Sequence, residues 1–452
     1  MTGARWSVYE GDCLDWLRSL PDDSVDAVVT DPPYGLSSKV PDMAEVLTAW
    51  LAGDAYDHGG GGFMGAAWDS FVPGPRVWRE VLRVLKPGGH AVVFAGTRTV
   101  DLMGVACRIA GFEVRDMGRW AYWNGFPKGG DIGAHIDRMA GAEREVVGEE
   151  MTGNARTGAG WEGGKVLVNI TAPATPEAVK WDGWKTGLKP AGEPWLLIRK
   201  PLAERTIARQ VLATGTGAIN IDGTRYPEGD KAWPGPQAGR TTTREGNAFS
   251  QDGSYAPGAK AAEYQINGGH PDGRYPANLY YCPKASRKER ERGCDSIPLT
   301  SSADLVNRAE GSAGKANPRA GAGGMGNGRR NKHSTVKPAE VMRWLCRLVT
   351  PPGGLVIDPF TGSGTTGIAA TLDGFRFAGA ELDPSHVEIA KARIAHAVAH
   401  PEQWADTAPG SRIAKPPRVA EGPVDDADGT RQAERDAEGW QVAMGFGAQP
   451  RE

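Results

Sequence analysis

Leu355-Val356-Ile357-Asp358-Pro359-Phe360-Thr361-Gly362-Ser363-Gly364-Thr365-Thr366-Gly367 reads as a buried strand, a glycine turn and the start of a helix. It satisfies G-x-G-x-x-G in the strand–turn–helix setting that gives the pattern its meaning. Glycine is expected where backbone must approach a ligand closely and a Cβ would intrude. Glu381 follows the next predicted strand, Phe375 to Ala380, at the place where an acid binds ribose hydroxyls. Taken alone, the turn fits a nicotinamide or flavin enzyme equally well, or a tight strand-to-helix turn with no ligand. Asp358 and Phe360 shift the balance. A carboxylate repels a pyrophosphate, whereas a cofactor carrying an ammonium and a sulfonium is attracted to both the acid and the ring.

Around this stretch the pattern alternates. Pro338 to Val349 has helical spacing, Gly354 to Ile357 is a strand, Thr365 to Leu372 a helix, and Pro384 to Ala397 another. The other end of the chain reads the same way. Val25 to Thr30 is a β-branched strand, and Arg76 to Leu85 a helix that stops at a turn, Lys86-Pro87-Gly88-Gly89. Ala91 to Ala95 is a strand, Val100 to Ala110 a helix, and a further strand starts at Phe112. Neither half has enough strands to stand alone. The expected fold is therefore one Rossmann-like α/β sheet, mainly parallel, assembled from both ends of the chain around a long irregular insertion. Residues 1–124 and 333–400 supply its two parts, and 191–213 return to it with a strand, Trp195 to Arg199, and a helix, Leu202 to Leu212. Residues 125–190 are read as a Gly-rich insertion and 214–332 as a second, nearly aperiodic one. Gly311 to Gly328 approaches low complexity, and 401–452 reads as a flexible tail.

Asp31-Pro32-Pro33-Tyr34 follows directly on the strand Val25 to Thr30. In open α/β sheets, ligands bind at the carboxyl ends of strands, where this segment must lie. Two prolines fix φ and remove two N–H donors, leaving a stiff loop that presents carbonyls. With the Asp31 carboxylate the site is rich in acceptors. That suits an amino group whose N–H bonds must be held while its lone pair faces an electrophile. Tyr34 offers a flat face on which an extruded base can stack. In isolation the tetrapeptide is also good turn chemistry; beside the glycine turn it reads as a site.

Composition narrows the class without naming it. The chain has 452 residues, 40% hydrophobic and 24% charged, with a net charge of -3. No stretch approaches the roughly 20 apolar residues of a membrane span. Met1 to Gly11 has no basic flank or apolar run, so no secretory signal is expected. The five cysteines are scattered, with no C-x-x-C pair, against disulfides and zinc and in favour of a reduced, cytoplasmic setting. Basic residues gather at Lys284, Arg287, Lys288, Arg290 and Arg292, and again at Arg329, Arg330, Lys332 and Lys337. Such runs fit a nucleic-acid surface or a solvated helix face alike.

These motifs together resemble the amino-methylating DNA methyltransferases, in the β-type order with the catalytic motif ahead of the cofactor motif. Asp31-Pro32-Pro33-Tyr34 resembles the catalytic motif, in which the acid and a proline carbonyl hold the target amine and the tyrosine stacks on the flipped base. Phe360-Thr361-Gly362-Ser363-Gly364-Thr365 resembles the F-x-G-x-G-T cofactor motif. Glu381 matches the ribose-binding acid, and Gly11-Asp12 the segment beside the cofactor adenine. His333-Ser334-Thr335-Val336-Lys337-Pro338 is similar to an H-P-T-x-K-P element that helps hold the methionine moiety, with Ser334 in place of proline. Trp123 to Lys128 and Lys189 to Pro194 look like segments flanking the late strands. The resemblance makes 1–124 the catalytic part, 333–400 the cofactor-binding part and 214–332 the target-recognition region.

It implies S-adenosyl-L-methionine as cofactor, no metal, and double-stranded DNA as partner, for a monomer or homodimer with or without a cognate restriction endonuclease. Adenine N6 is favoured over cytosine N4 because the tetrapeptide begins with Asp, where many cytosine-N4 relatives begin with Ser. Transfer is expected to be direct, since no cysteine follows a proline pair as a ring-carbon nucleophile would. A non-catalytic DNA-binding protein that retains the fold and a dinucleotide oxidoreductase remain as rival readings.

Overall fold

The computed structural model describes residues 5–37, 39–62, 67–122, 125, 129–152, 166–227, 248–249, 255–256, 273–300 and 328–411. Its centre is an eight-stranded sheet. The strands in chain order are β1 (Trp6–Glu10), β2 (Val25–Thr30), β3 (Leu85–Phe94), β4 (Glu113–Ala121), β5 (Val146–Thr152), β6 (Val166–Thr171), β7 (Gly192–Arg199), β8 (Ala248–Phe249), β9 (Tyr255–Ala256), β10 (Leu279–Tyr281), β11 (Leu355–Asp358) and β12 (Arg376–Glu381). The sheet order is β1-β12-β11-β2-β3-β7-β4-β10, while β5 pairs with β6 and β8 with β9 as separate antiparallel pairs. Every pairing in the large sheet is parallel except those of β7, which runs antiparallel to both β3 and β4. Strands from both ends of the chain thus share one sheet, in the Rossmann-like arrangement expected.

Alternation along the central strands divides the core in two. Val92 and Phe94 of β3 and Trp195 and Leu197 of β7 face the helices Ala339–Val349, Thr365–Leu372 and Pro384–Ala399. Ala91, Val93, Leu196 and Ile198 face the helices Cys13–Ser19, Pro75–Val84 and Val100–Ala110. A sheet covered on both sides needs near-continuous apolar strands, which is why β2 and β11 read so clearly from sequence. Helix ends follow local chemistry. Asp12 caps Cys13–Ser19, Gly111 ends Val100–Ala110 in the left-handed region, and Asp383 with Pro384 opens the last long helix.

The structure departs from the expected elements at several points. Lys86 to Gly89 is a bulge inside β3 opposite Asp26: the pairing with β2 jumps from Val25–Leu85 to Ala27–His90. The helix expected from Leu202 starts only at Ile207, because Thr206 caps it and Gln210 reaches back to the Ala203 and Glu204 amides. The Gly-rich insertion is partly regular, with a helix at Ile132–Met139 and the β5–β6 pair. Pro401–Thr407, expected as the start of a flexible tail, is a 3-10 helix with Trp404 fully buried beneath the Arg292 guanidinium. Residues 311–327 and 412–452 lie outside the described residues, as does all of Trp123 to Lys128 except Gly125.

Candidate active site

The chain direction on either side of the β11–β2 contact diverges: β11 leads outward to β12, and β2 leads outward to β3. Such a switch point opens a crevice at the carboxyl ends of the strands. Asp358 closes β11 and Thr30 closes β2, and the Thr30 hydroxyl donates to Asp358 Oδ1 at 2.6 Å. A cavity of about 1480 Å³ opens over them. It is lined at one end by Asp31, Pro32, Pro33 and Tyr34, and at the other by Asp12, Phe360, Gly362, Thr365 and Glu381. Gly364 sits just behind that lining, as the left-handed residue that starts helix Thr365–Leu372.

At the first end, two clamps hold the tetrapeptide. The buried Asp69 carboxylate accepts from the Tyr34 amide at 2.7 Å and the Gly35 amide at 3.1 Å. The Thr99 hydroxyl donates to the Tyr34 carbonyl at 2.6 Å. The side chains form a charged cluster. Tyr34 Oη lies 2.7 Å from Asp31 Oδ1 and 3.1 Å from Glu193 Oε2. Lys337 Nζ donates to Asp31 Oδ2 and lies 3.2 Å from Glu193 Oε2. The ammonium also faces the rings of Tyr34 and Phe94, at 5.2 Å and 5.0 Å. Burial pushes the Asp31 carboxyl up, more than the Lys337 charge pulls it down. Burial also acts on Glu193, but Lys337 and Lys284 outweigh it and hold that carboxyl below its usual range. Lys337 is held above the ordinary lysine range: burial works against its charge and the two carboxylates more than compensate.

Lys337, which the resemblance places in an element that helps hold the methionine moiety, has its ammonium between Asp31 and Glu193. A buried ammonium needs carboxylate partners, and these are the two within reach. Glu193 lies in the segment Lys189 to Pro194, whose pattern assigns it no role, and Asp69 carries no motif at all.

At the second end, the glycine turn is stitched to the protein. Phe360 N donates to Asp358 Oδ1, Thr361 N to the Ala380 carbonyl, Gly362 N to Glu381 Oε2 and Gly364 N to the Thr361 carbonyl. A pyrophosphate cradle needs those N–H groups free to point at phosphate. Here these four are taken, two of them by carboxylates, whose charge would repel a pyrophosphate. The glycines also serve packing more than ligand approach. A Cβ on Gly362, at φ +54, would meet His333 Nε2 at 2.8 Å, and one on Gly364, at φ +81, the Ala390 backbone at 2.9 Å.

Asp358 spends its carboxylate on Thr30, Thr366 and Phe360 N, and burial pushes its pKa up to about 6. Glu381 accepts from Gly362 N and Asp383 N, which leaves lone pairs for hydroxyl donors. Asp12 lies where β1 ends beside β12, with Gly11 N donating to the Glu381 carbonyl at 2.9 Å. The Thr365 hydroxyl lies 3.3 Å from the fully buried Arg393, and Thr335 is exposed at the rim. A cavity with Asp12 and Glu381 at one end and Phe360 in its wall fits a ligand with ribose hydroxyls and a cationic head.

A protein-family model described as DNA methylase matches residues 25–392, from the strand ahead of Asp31 to the helix after Glu381. The chain belongs to this DNA methylase family. S-adenosyl-L-methionine is the methyl donor of the family. Similar relatives include the type II methyltransferase M2.DpnII of Streptococcus pneumoniae, 38% identical over 63 residues, 14% of this chain and 24% of the relative. Another is the type II methyltransferase M.Cfr9I of Citrobacter freundii, 39% identical over 62 residues, 14% of this chain and 21% of the relative. The chain thus matches about a quarter or less of the length of these curated relatives. Among solved structures, the PvuII DNA methyltransferase (cytosine-N4-specific) superposes with a TM-score of 0.42 at 15% identity over 87% of each chain. The M1.HpyAVI–SAM complex superposes with a TM-score of 0.35 at 15% identity, over 86% of this chain and 98% of that one.

Proposed function

We propose that this DNA methylase-family protein transfers a methyl group from S-adenosyl-L-methionine to the exocyclic N6 amine of adenine in double-stranded DNA. The observation that carries the reading is a single cavity in which an acceptor-rich tetrapeptide, Asp31 to Tyr34, faces a glycine turn flanked by Glu381 and Asp12. When bound, S-adenosyl-L-methionine supplies an electrophilic methyl group on a sulfonium. Glu381 and Asp12 bind its nucleoside, with Phe360 against it and Thr335 at the rim. Asp358 acts from behind, by fixing the turn to the end of β2.

Asp31 accepts one N–H of the target amine and a carbonyl of the proline pair accepts the other. The nitrogen lone pair is thereby aimed along the transfer axis, and Asp31 stabilises the positive charge that grows on that nitrogen. Tyr34 presents its ring to the extruded base. No covalent enzyme intermediate is needed. The one cysteine lining the cavity, Cys13, has its thiol pushed up to about 12 by burial and by Asp12, so it carries no thiolate at neutral pH.

Nucleoside mass spectrometry of unmethylated duplex DNA incubated with the protein and cofactor tests the reading. N6-methyladenine is the expected product. N4-methylcytosine would keep the mechanism and move the base. Absence of both, on DNA of varied sequence, would sink it.

A further inference from the structure

Glu193 reaches the candidate site by a route that neither sequence motif marks. Because β7 runs antiparallel, its amino end lies at the edge where the parallel strands have their carboxyl ends, with Glu193 paired to Trp120 of β4. There its Oε2 contacts the same two donors that occupy Asp31: Lys337 Nζ at 3.2 Å and Tyr34 Oη at 3.1 Å.

We propose that Glu193 is a positioning residue that takes over Lys337 and the Tyr34 hydroxyl when the target amine takes its place on Asp31. The proposal rests on the methyltransferase reading above. In the structure both Asp31 oxygens are engaged, Oδ1 by Tyr34 and Oδ2 by Lys337. Each oxygen keeps a further lone pair, so an amine can add to Asp31, but Asp31 accepts it most strongly when the two present donors shift their share to another acceptor. A buried ammonium or hydroxyl displaced into an apolar wall would be left unsatisfied, and that penalty would oppose substrate binding. Glu193 removes the penalty, because its oxygen already lies within reach of both donors. The exchange needs small shifts of side chains and no movement of the sheet.

Other charged and titratable groups complete the surroundings. Lys284, over the Tyr122 ring, faces Glu193 from outside the cluster, Asp358 faces Asp31, and His333 faces Lys337. Lys284 favours a charged Glu193, so the alternative acceptor remains an anion while Lys337 moves. His333, crowded by protein and by His386, is pushed down to about 3 and adds no competing cation at neutral pH.

The test compares wild type with Glu193→Gln and Glu193→Asp. In Glu193→Gln, Lys337 is left to Asp31 alone. The kcat/KM for DNA is expected to fall about a hundredfold, the scale of a misplaced reacting group, with cofactor affinity by calorimetry unchanged within about twofold. The carboxyl-carbon NMR signal of Asp31, assigned with Asp31→Asn, is expected to titrate at lower pH than in wild type, since an anionic neighbour is gone. Glu193→Asp keeps the charge and should recover most of the lost activity.

Equal losses in the two variants would show that side-chain shape matters and not charge, and would overturn the proposal. So would an unmoved Asp31 titration, or a loss of cofactor affinity that accounts for the whole effect. If Glu193→Gln does not fold, as judged by circular dichroism, Glu193→Asp decides alone: activity more than tenfold below wild type with an unmoved Asp31 titration overturns the proposal. A wild-type protein that methylates no DNA would instead remove the reading underneath, which an active wild type with an indifferent Glu193→Gln would leave standing.

Discussion

The Thr30 hydroxyl donates to Asp358 Oδ1 at 2.6 Å, joining the residue before Asp31 to the residue that opens the glycine turn, 328 positions later in the chain. Both groups are buried, and the Thr366 hydroxyl donates to the other Asp358 oxygen at 2.6 Å. The bond fixes the distance between the two ends of the cavity. Thr30→Val keeps the shape of the side chain and removes the donor. Loss of about 1.5–3 kcal/mol of stability is expected, the worth of one hydrogen bond to a charged acceptor, since Asp358 Oδ1 keeps the Phe360 amide, and urea denaturation measures it. A variant as stable as wild type would show the bond to be incidental.

Asp358 also sets a pH dependence. Burial raises its pKa from 3.8 to about 6 despite its hydrogen bonds. The folded state therefore binds this proton more tightly than the unfolded chain does. The resulting stabilisation, up to about 3 kcal/mol, is complete below the unfolded pKa and is lost as pH rises through about 6. The unfolding free energy of wild type minus that of Asp358→Asn should thus be larger near pH ~4.5 than near pH ~7.5. A difference that stays flat across this range would contradict the assignment.

Gly364 is held at φ +81, where a Cβ would meet Ala390 Cα at 2.9 Å. Gly364→Ala therefore combines left-handed strain of about 1–2 kcal/mol with a backbone clash against the helix Pro384–Ala399. A lower denaturation midpoint and weaker cofactor binding are expected together. Weaker binding at unchanged stability would mean that the glycine faces the ligand after all.

Much of this site was legible in sequence because it lies on local patterns. The strand Val25–Thr30 and the helices Val100–Ala110 and Thr365–Leu372 have the predicted bounds, since buried parallel strands and glycine-ended helices leave strong signals. The tetrapeptide and the glycine turn are contiguous, and the sheet rule alone places both at one edge. What sequence left unread is non-local. Glu193 joins Asp31 only because β7 reverses direction, and Asp69 reaches the Tyr34 amide from a single 3-10 turn, Ala67–Asp69, too short to leave a periodic pattern. The pairing of Lys337 with Asp31 and Glu193 is equally non-local, because a buried ammonium follows carboxylates that come from distant strands. Lys86 to Gly89 read as a turn because a bulge uses the same residues.

Trp404 shows the core continuing beyond His400. Its indole is fully buried and donates to His396 Nδ1 at 3.2 Å, with the Arg292 guanidinium 4.7 Å above the ring. Trp404→Ala should destabilise the fold by about 3–5 kcal/mol, seen as an earlier thermal unfolding transition. A loss below about 1 kcal/mol would mean that this segment is dispensable.

Methyl transfer through Asp31 is measured with labelled S-adenosyl-L-methionine and duplex DNA, on wild type and on Asp31→Ala, with cofactor affinity of both read by calorimetry. Incorporation by wild type is expected, with a rate at least about a hundredfold lower for Asp31→Ala and similar cofactor affinity for the two. Undiminished transfer by Asp31→Ala, or no transfer by a wild-type protein that binds the cofactor, would contradict methyl transfer through Asp31.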